Sequence, residues 1–241
     1  MIKVENIDVW GFEHAIRGMR NPMNSWEKSD TRLFQDDDGR AVFTLGENDA
    51  DLMHRLFKGG TEHRKFMRQI MVSMDITAPL YWWKEFDTYK VGTTANSCST
   101  MHKIMSKVFV LDDFSHDHLG VDIPAELNFG DPVHLDLYTV ALEKIIGVLN
   151  TARHEYLVTK DKNLKKQFWW QIIQLLPSSY NQKRTVTMNY ENAASMIRQR
   201  TGHKLDEWHF FVEMLWTLPY MDTIINGDWG KEGKNNGDQE G

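Results

Sequence analysis

The chain has 241 residues, of which 34 are acidic and 28 are basic, and its formal net charge is -6. This length allows one large domain or two small ones, and because no segment resembles a linker we expect a single domain over residues 1–226. The acidic balance argues against nucleic acid as the main partner, since neutralising phosphates requires a basic face. The single cysteine excludes an internal disulfide and is typical of a reducing compartment.

The first and the last residues of the chain lead to two expectations, one about localisation and one about order. The segment MIKVENIDVW lacks the apolar core of a signal peptide, and no apolar run approaches the length of a membrane span. We therefore expect a cytoplasmic protein without membrane contacts. Residues 227–241 are mostly Gly, Lys, Asn, Asp and Glu, and this polar composition predicts a disordered tail.

The first third of the chain predicts strands that alternate with short helices. The predicted elements are a strand over Ile2–Val9, helices over Phe12–Met19 and Asp49–Lys58, and a strand over Ile70–Thr77. Asn21-Pro22 ends the first helix because a residue before proline avoids the helical conformation. Gly59-Gly60 ends the second helix.

The stretch Ala78–His102 combines bulky aromatic residues with small hydroxylated ones. Leu80–Phe86 predicts an apolar helix that can be buried, whereas Thr93–Thr100 has too many small polar side chains to fill a core and predicts a loop. Such a loop offers backbone N–H groups and hydroxyls to an anion or a cofactor. Composition alone leaves a plain turn equally open, because Ser, Thr and Asn side chains also bond to their own backbone.

Two histidines, His116 and His118, lie among aspartates in the segment DDFSHDHLGVD. In an extended segment both imidazoles could bind a metal ion, with Asp112, Asp113 or Asp122 nearby. A polar surface loop is favoured, because no second cluster of ligands completes the site. We therefore expect no metal.

The second half of the chain predicts helices. Lys103–Val110 is compatible with a helix or a strand. The later predicted helices cover Val133–Lys160, Leu164–Leu176, Thr187–Arg200 and Leu205–Leu218.

Three segments, in the right order, resemble motifs of the flavin-dependent thymidylate synthase family. The first is a histidine, His63, that stands the family's distance before Ala78-Pro79. The second is Asn96–His102, which matches the signature N-E-x-S-x-R-Y after one inserted residue. The third comprises Leu176-Pro177 followed by Asn189, Arg200, His203 and Glu207. The similarity covers most of the chain.

The resemblance implies a role for a defined set of side chains. The residues on the flavin side are His63, Lys90, Asn96, Asn189 and His203. The residues on the nucleotide side are Glu85, Ser97, Ser99, Thr100 and Arg200, of which Ser99 and Arg200 are the expected catalytic residues. Cys98 occupies a spacer position without an inherited role, and we interpret it as a small buried residue.

The motifs are degraded mainly on the nucleotide side. The family's R-H-R triplet is replaced by Thr88-Tyr89-Lys90, the signature glutamate by Ser97, and a glutamine that contacts the pyrimidine by Glu85. Two phosphate-binding arginines are replaced by Met101 and Ile173. Each such arginine contributes on the order of 1.5–3 kcal/mol. Lysines or arginines at positions 84, 90, 103, 184 and 198 are candidates for partial replacement.

The resemblance implies an α+β fold with a mixed sheet and long packed helices, and a homotetramer. It implies FAD as cofactor, NADPH and methylenetetrahydrofolate as co-substrates, and a methyltransferase that converts dUMP to dTMP, or a variant of that reaction on a pyrimidine nucleotide, in nucleotide biosynthesis. One alternative is a non-catalytic relative that binds a nucleotide or a flavin. A third hypothesis is a metal-dependent hydrolase built on His116 and His118.

Overall fold

A computed structural model describes residues 2–35, 38–39, 41–120 and 137–229 of the chain. Three sequence-based expectations fall partly outside these ranges. They are the beginning of the helix predicted from Val133, the carboxylate Asp122 of the possible metal cluster, and the predicted tail after Trp229.

Six strands form two sheets within the described residues. The strands are β1 (Lys3–Trp10), β2 (Arg32–Gln35), β3 (Ala41–Thr44), β4 (Met71–Pro79), β5 (Thr93–Ser97) and β6 (Asn181–Asn189). The larger sheet has the order β1-β4-β6-β5. In the smaller one, β2 pairs with β3 in antiparallel register, with Leu33 opposite Phe43.

Nine helices accompany these strands in the part of the chain that is described. They are α1 (Phe12–Arg20), α2 (Glu47–Lys58), α3 (Leu80–Phe86), α4 (Thr100–Lys103), α5 (Leu137–Val158), α6 (Lys162–Leu175), α7 (Tyr190–Arg200), α8 (Asp206–Trp216) and α9 (Met221–Asn226). The predicted α+β class is confirmed. Among the described residues, no helix is both long and apolar enough to cross a membrane.

Strand β4 and helix α3 confirm the predicted pattern. Every second residue of β4, from Val72 onward, is buried, while the residues between them are partly exposed. Pro79 precedes α3, whose three large rings Trp82, Trp83 and Phe86 are buried and pack edge to face or stacked, with centroids 5.0–5.3 Å apart. This aromatic helix is core, as its composition predicts.

Three predicted elements are wrong. The helix predicted from Thr187 begins only at Tyr190, because Thr187–Asn189 complete β6, where Val186 and Met188 are buried on alternate positions. The loop predicted over Thr93–Thr100 contains β5, which pairs with β6 at one end of the sheet order. Lys103–Val110 forms neither a strand nor a helix beyond the end of α4.

The chain forms two compact units. Unit 1 comprises the described parts of Met1–Glu5, Asp75–Thr88 and Ala95–Thr185, and unit 2 those of Asn6–Met74, Tyr89–Thr94 and Val186–Gly241. The single domain over residues 1–226 stays a prediction.

Unit 1 contains a core in which α5 and α6 pack against the segment that follows α4. The buried members of this core cluster are Ile104, Met105, Phe109, Phe114, Leu142, Ile146, Leu149, Ala152 and Ile172. The Asn150 side chain fixes the segment to α5, because its amide accepts from Phe109 N and donates to Phe109 O, both at 2.9 Å.

Unit 2 contains a buried ion pair between Arg20 and Asp49. Asp49 accepts from Arg20 Nε at 2.6 Å, from the hydroxyls of Ser29 and Thr31 at 2.7 Å each, and from the backbone N–H groups of Thr31 and Asp30 at 3.1 and 3.2 Å. Burial raises the pKa of this carboxyl, but the bonds from Thr31, Ser29 and Arg20 outweigh it and leave the pKa below its ordinary value. The carboxylate therefore joins α1, α2 and the segment before β2.

We predict that Asp49→Asn lowers the free energy of unfolding by about 3–5 kcal/mol, because it leaves the buried Arg20 charge without its counter-ion. Urea unfolding at neutral pH measures this change. Asp51→Asn is the matched control, since Asp51 lies on the same helix in an exposed ion pair with Arg55 and should cost less than about 1 kcal/mol. Equal losses in the two variants would contradict a special role for Asp49.

The same ion pair predicts a pH dependence. Because the folded-state pKa of Asp49 is lowered, its stabilisation is complete above the ordinary carboxyl value of 3.8 and is lost as the pH falls through the lower folded value. The stability gap between the wild type and Asp49→Asn should therefore stay constant down to about pH 4 and narrow only below it.

Candidate functional site

The signature loop, Asn96–His102, is held by its backbone in unit 1. Cys98 N donates to Lys183 O and Cys98 O accepts from Gln182 Nε2, both at 2.9 Å. Ser99 Oγ accepts from His102 N at 3.1 Å and so caps α4. Trp169 Nε1 donates to Met101 O at 3.2 Å. Strand β6 and helix α6 therefore fix the loop, whose sequence alone left a turn and a site equally open.

A cavity of about 350 Å³ lies beside the signature loop. Its wall includes Ser99 and Thr100 together with the lysines at positions 103, 107 and 183. Lys183 lies 3.1 Å from Asp75, which raises the lysine pKa, and Lys107 forms an ion pair with Asp113. Asp112 and Asp113 also line the cavity. The cavity therefore combines hydroxyls and ammonium groups with carboxylates, which offset the attraction of the ammonium groups for an anion.

Two other residues of unit 1 that were predicted on the nucleotide side, Ser97 and Glu85, do not line this cavity within the described structure. Ser97 lies on β5 with an exposed side chain, as does Asn96 of the flavin side, and Glu85 lies partly buried on α3. Of the four predicted nucleotide-side residues of unit 1, Ser99 and Thr100 are thus brought together at the cavity.

Cys98 is exposed, and the expectation of a small buried residue is wrong. The contacts that hold this residue to β6 come from its backbone N–H and C=O, so they do not require its side chain to be buried. Cys98 also lines the cavity. The small polar neighbours of Cys98 were a signal of exposure, which the usual burial of free cysteine outweighed in the prediction.

Arg184, a candidate for replacing a lost arginine, is already engaged inside unit 1. Its Nη1 lies 2.7 Å from Asp87 Oδ1 and its Nε donates to Gln182 Oε1 at 3.0 Å. The guanidinium also stacks on Trp83, with its carbon 4.2 Å from the ring centre. The Arg184 side chain therefore stabilises the packing of α3 against β6.

Arg200 lies in unit 2, where its guanidinium is close to two aromatic rings. The guanidinium carbon is 4.5 Å from the ring centre of Trp208 and 5.5 Å from that of Tyr89. Arg200 Nε donates to Tyr89 Oη at 2.9 Å, and that hydroxyl donates to Gln199 Oε1 at 3.0 Å. The tyrosine in the middle of the degraded R-H-R triplet thus positions the predicted phosphate ligand.

Asn189 and Asn192 attach a loop to the start of α7. Asn189 Oδ1 accepts from Asn192 N at 3.0 Å and caps the helix, while Asn192 Nδ2 donates to Val91 O at 2.5 Å and to Thr93 Oγ1 at 2.9 Å. Gly92 has φ +72°, and a Cβ there would lie 2.4 Å from Asn189 Nδ2, so the position requires glycine. The sequence analysis did not predict a role for Asn192, because its partners Val91 and Thr93 lie 101 and 99 positions away in sequence.

The remaining predicted flavin residues of unit 2 lie at three places. His203 packs near Trp208, with ring centres 6.2 Å apart, and its Nδ1 accepts from Leu205 N at 3.2 Å. Lys90 is exposed in the turn that follows Tyr89. His63 is exposed just after α2, where its ring lies against the backbone of Gly59. Arg200 and His203 thus both lie near the Trp208 ring, whereas His63 lies at the end of α2.

The predicted flavin residues fit a cofactor in different ways. His63, Lys90 and Asn96 carry exposed side chains, which are suited to binding a ligand. Asn189 and His203 use polar atoms to hold the start of α7 and the turn before α8. Three members of the set are therefore available for binding, and two are positioning residues.

No group of three or more potential metal ligands occurs among the residues that the structure describes. His116 Nδ1 lies 2.8 Å from Phe114 O.

Comparison with known proteins finds no matching family model and no matching curated protein. Solved structures are similar to this chain. A flavin dependent thymidylate synthase, ThyX, from Helicobacter pylori, crystallised with FAD and dUMP, is 15% identical, with a TM-score of 0.59 over 93% of this chain and 98% of that chain. A second ThyX structure from Helicobacter pylori with FAD and dUMP is 14% identical, with a TM-score of 0.59 over 94% and 98%.

A third similar structure is PolB from Streptomyces cacaoi, a UMP/dUMP methylase bound with 5-Br dUMP. It is 14% identical, with a TM-score of 0.56 over 94% of this chain and 92% of that chain. At these identities the comparisons establish the fold, which is like that of the thymidylate synthase ThyX.

Proposed function

We propose that this chain is a divergent flavin-dependent thymidylate synthase-like protein that binds FAD and a pyrimidine deoxynucleotide. The observation that carries this proposal is the fold likeness, over 93–94% of the chain, to proteins crystallised with FAD and dUMP or with 5-Br dUMP. The reaction we propose is a reductive one-carbon transfer, dUMP to dTMP or a variant of it, in a cytoplasmic enzyme of nucleotide biosynthesis.

In this proposal the protein's own residues bind and orient the flavin. His63, Lys90 and Asn96 contact the cofactor through their exposed side chains, while Asn189 and His203 keep the surrounding backbone in place. FAD supplies the hydride chemistry when it is bound, so no protein nucleophile is needed. NADPH as reductant and methylenetetrahydrofolate as one-carbon donor belong to the same proposal.

On the nucleotide side we assign Arg200 to the phosphate and the hydroxyls of Ser99 and Thr100 to polar contacts, with Glu85 and Ser97 as further ligands. A guanidinium that packs on aromatic rings and bonds to Tyr89 is already oriented, which lowers the entropic cost of forming its bonds to phosphate. The lost arginines weaken this site. Met101 is exposed, and Ile173 packs against the core cluster of unit 1.

A non-catalytic relative that binds a nucleotide or a flavin is the second candidate, and one observation favours it. Where the family has the histidine of its R-H-R triplet, this chain has Tyr89, whose hydroxyl accepts from Arg200 Nε. An arginine that donates one N–H group to another residue of its own protein has fewer N–H donors left for a phosphate. An assay with dUMP, FAD, NADPH and methylenetetrahydrofolate whose one-carbon group carries deuterium separates the two candidates. Only an enzyme transfers the labelled group and forms labelled dTMP.

The flavin assignment predicts that the purified chain binds FAD and becomes yellow. His63→Ala should weaken FAD binding roughly tenfold, from the loss of one ligand contact. Calorimetry and flavin absorbance measure the change. His154→Ala is the control, since His154 is an exposed histidine on α5 outside the predicted set. Unchanged FAD affinity in His63→Ala would remove this residue from the site.

We also predict a homotetramer, because the family builds its flavin sites between subunits and a shared site cannot form in one chain. Light scattering on the eluting protein should give four times the 28.2 kDa of the chain. The mass of a single chain, with and without FAD, would overturn this prediction.

Arg200→Ala should weaken dUMP binding about tenfold or more, because one charged hydrogen bond is lost, while FAD affinity changes little. Met101→Arg should strengthen dUMP binding, since it returns a forked donor to the signature loop. Calorimetry with dUMP in the presence of FAD measures both, and Arg55→Ala is the charge-matched control. If Met101→Arg folds, holds FAD and still binds dUMP as the wild type does, dUMP is the wrong ligand.

A further inference from the structure

Two arginines of unit 2 lie on one phenylalanine ring at the end of α2. The guanidinium carbon of Arg64 is 4.3 Å from the ring centre of Phe57, and that of Arg198 is 5.9 Å from the same centre. Arg64 is anchored there, because its Nε donates to Phe57 O at 2.7 Å. Arg198 is exposed and reaches the ring from α7. Two positively charged groups thus lie on the ring of one buried phenylalanine.

The charge balance at this ring is unfavourable without a ligand. Burial lowers the pKa of the Arg64 guanidinium, the charge of Arg198 lowers it further, and Glu191 offsets only part of these effects. Glu191 is itself ion-paired with Arg68, on which Glu62 also acts. The nearby carboxylates therefore do not neutralise the pair.

The sequence around Arg64 is also positively charged. Residues 55–68, RLFKGGTEHRKFMR, contain five lysines and arginines, one histidine and one glutamate, in a chain of net charge -6. Basic surface segments are commonly solvated and keep their charges apart. Here two guanidinium groups instead lie on one phenylalanine ring, and the charge of Arg198 acts on Arg64. Positive charges that are collected in this way attract anions.

We propose that Arg64 and Arg198 form a binding site for a phosphate group, carried by a phosphomonoester or a pyrophosphate. Planar guanidinium groups match the geometry of phosphate oxygens, and a multiply charged anion relieves the repulsion between the two arginines. Phe57 and its carbonyl hold Arg64 ready, so little side-chain entropy is lost on binding.

This site is separate from the one assigned to Arg200. Residues two apart on a helix lie about 200° apart around its axis, and Arg200 stacks on Trp208 whereas Arg198 lies near Phe57. The inference stands without the flavin proposal, because any phosphate-bearing ligand satisfies the charge balance. His63, which precedes Arg64, makes the phosphates of a flavin nucleotide one possible source.

The test uses the full chain, inorganic pyrophosphate as probe, and Arg198→Gln, which changes an exposed side chain. Without anion, Arg198→Gln should raise the melting temperature by about 1–3 °C, because like-charge repulsion is relieved. Pyrophosphate should raise the melting temperature of the wild type and bind it at least about tenfold more tightly than Arg198→Gln. Arg55→Gln, an arginine of α2 paired with Asp51, is the matched control and should bind pyrophosphate as the wild type does.

Equal pyrophosphate affinity in the wild type and Arg198→Gln, or no binding to either, would overturn the proposal. A loss of pyrophosphate affinity in Arg55→Gln that is as large as the loss in Arg198→Gln would also overturn the proposal, because general surface charge would then explain the effect. A second variant, Arg198→Lys, keeps the positive charge but lacks the paired N–H donors of a guanidinium. It should bind pyrophosphate with intermediate affinity.

A comparison of riboflavin, FMN and FAD distinguishes the source of the phosphate. If the site holds a flavin phosphate, the gain in affinity from riboflavin to FMN or FAD should disappear in Arg198→Gln. If pyrophosphate binds as expected and that gain is unchanged, the site holds the phosphate of another ligand. Pyrophosphate binding to a chain that binds no flavin would support this site while contradicting the proposed function.

Discussion

The loop that precedes β5 depends on two asparagine side chains at the start of α7. Asn189 caps the helix, and the Asn192 amide donates to the Val91 carbonyl and the Thr93 hydroxyl, on either side of Gly92. Tyr89 and Lys90 immediately precede this held loop, so the first turn of α7 decides where they lie. Tyr89 in turn reaches the last turn of the same helix, at Arg200. Both ends of one helix thus fix a single short loop.

This loop shows how an internal contact competes with ligand binding. Arg200 is stacked and hydrogen-bonded before any ligand arrives, which orients its guanidinium and also occupies its Nε. Preorganisation favours binding through entropy, whereas internal hydrogen bonds reduce the number of donors left for the ligand. Arg64 has the same arrangement at Phe57, with Nε bonded to a carbonyl and the rest of the guanidinium over a ring. Both arginines therefore present a fixed cation.

The sequence predicted the elements whose burial follows a regular period, and missed those fixed by contacts distant in sequence. Strand β4 and helix α3 have a strict alternation and a run of buried rings, so local pattern sufficed. Strand β5 has a polar sequence and exposed side chains, and it exists because β6 supplies its hydrogen-bond partner. The five bonds of Asp49 involve residues 18–29 positions away in sequence, which no window of local sequence reveals. For the site, family motifs pointed to Arg200 but could not indicate its aromatic neighbours.

The exposed cysteine has a practical consequence for experiments on this protein. Cys98 is the only thiol in the sequence, its backbone is bonded on both sides, and it lines the cavity beside Ser99 and Thr100. A maleimide fluorophore would therefore attach at one defined point without an engineered residue. Changes in its emission or in the rate of thiol labelling would report on occupancy of that cavity directly, whichever ligand fills it.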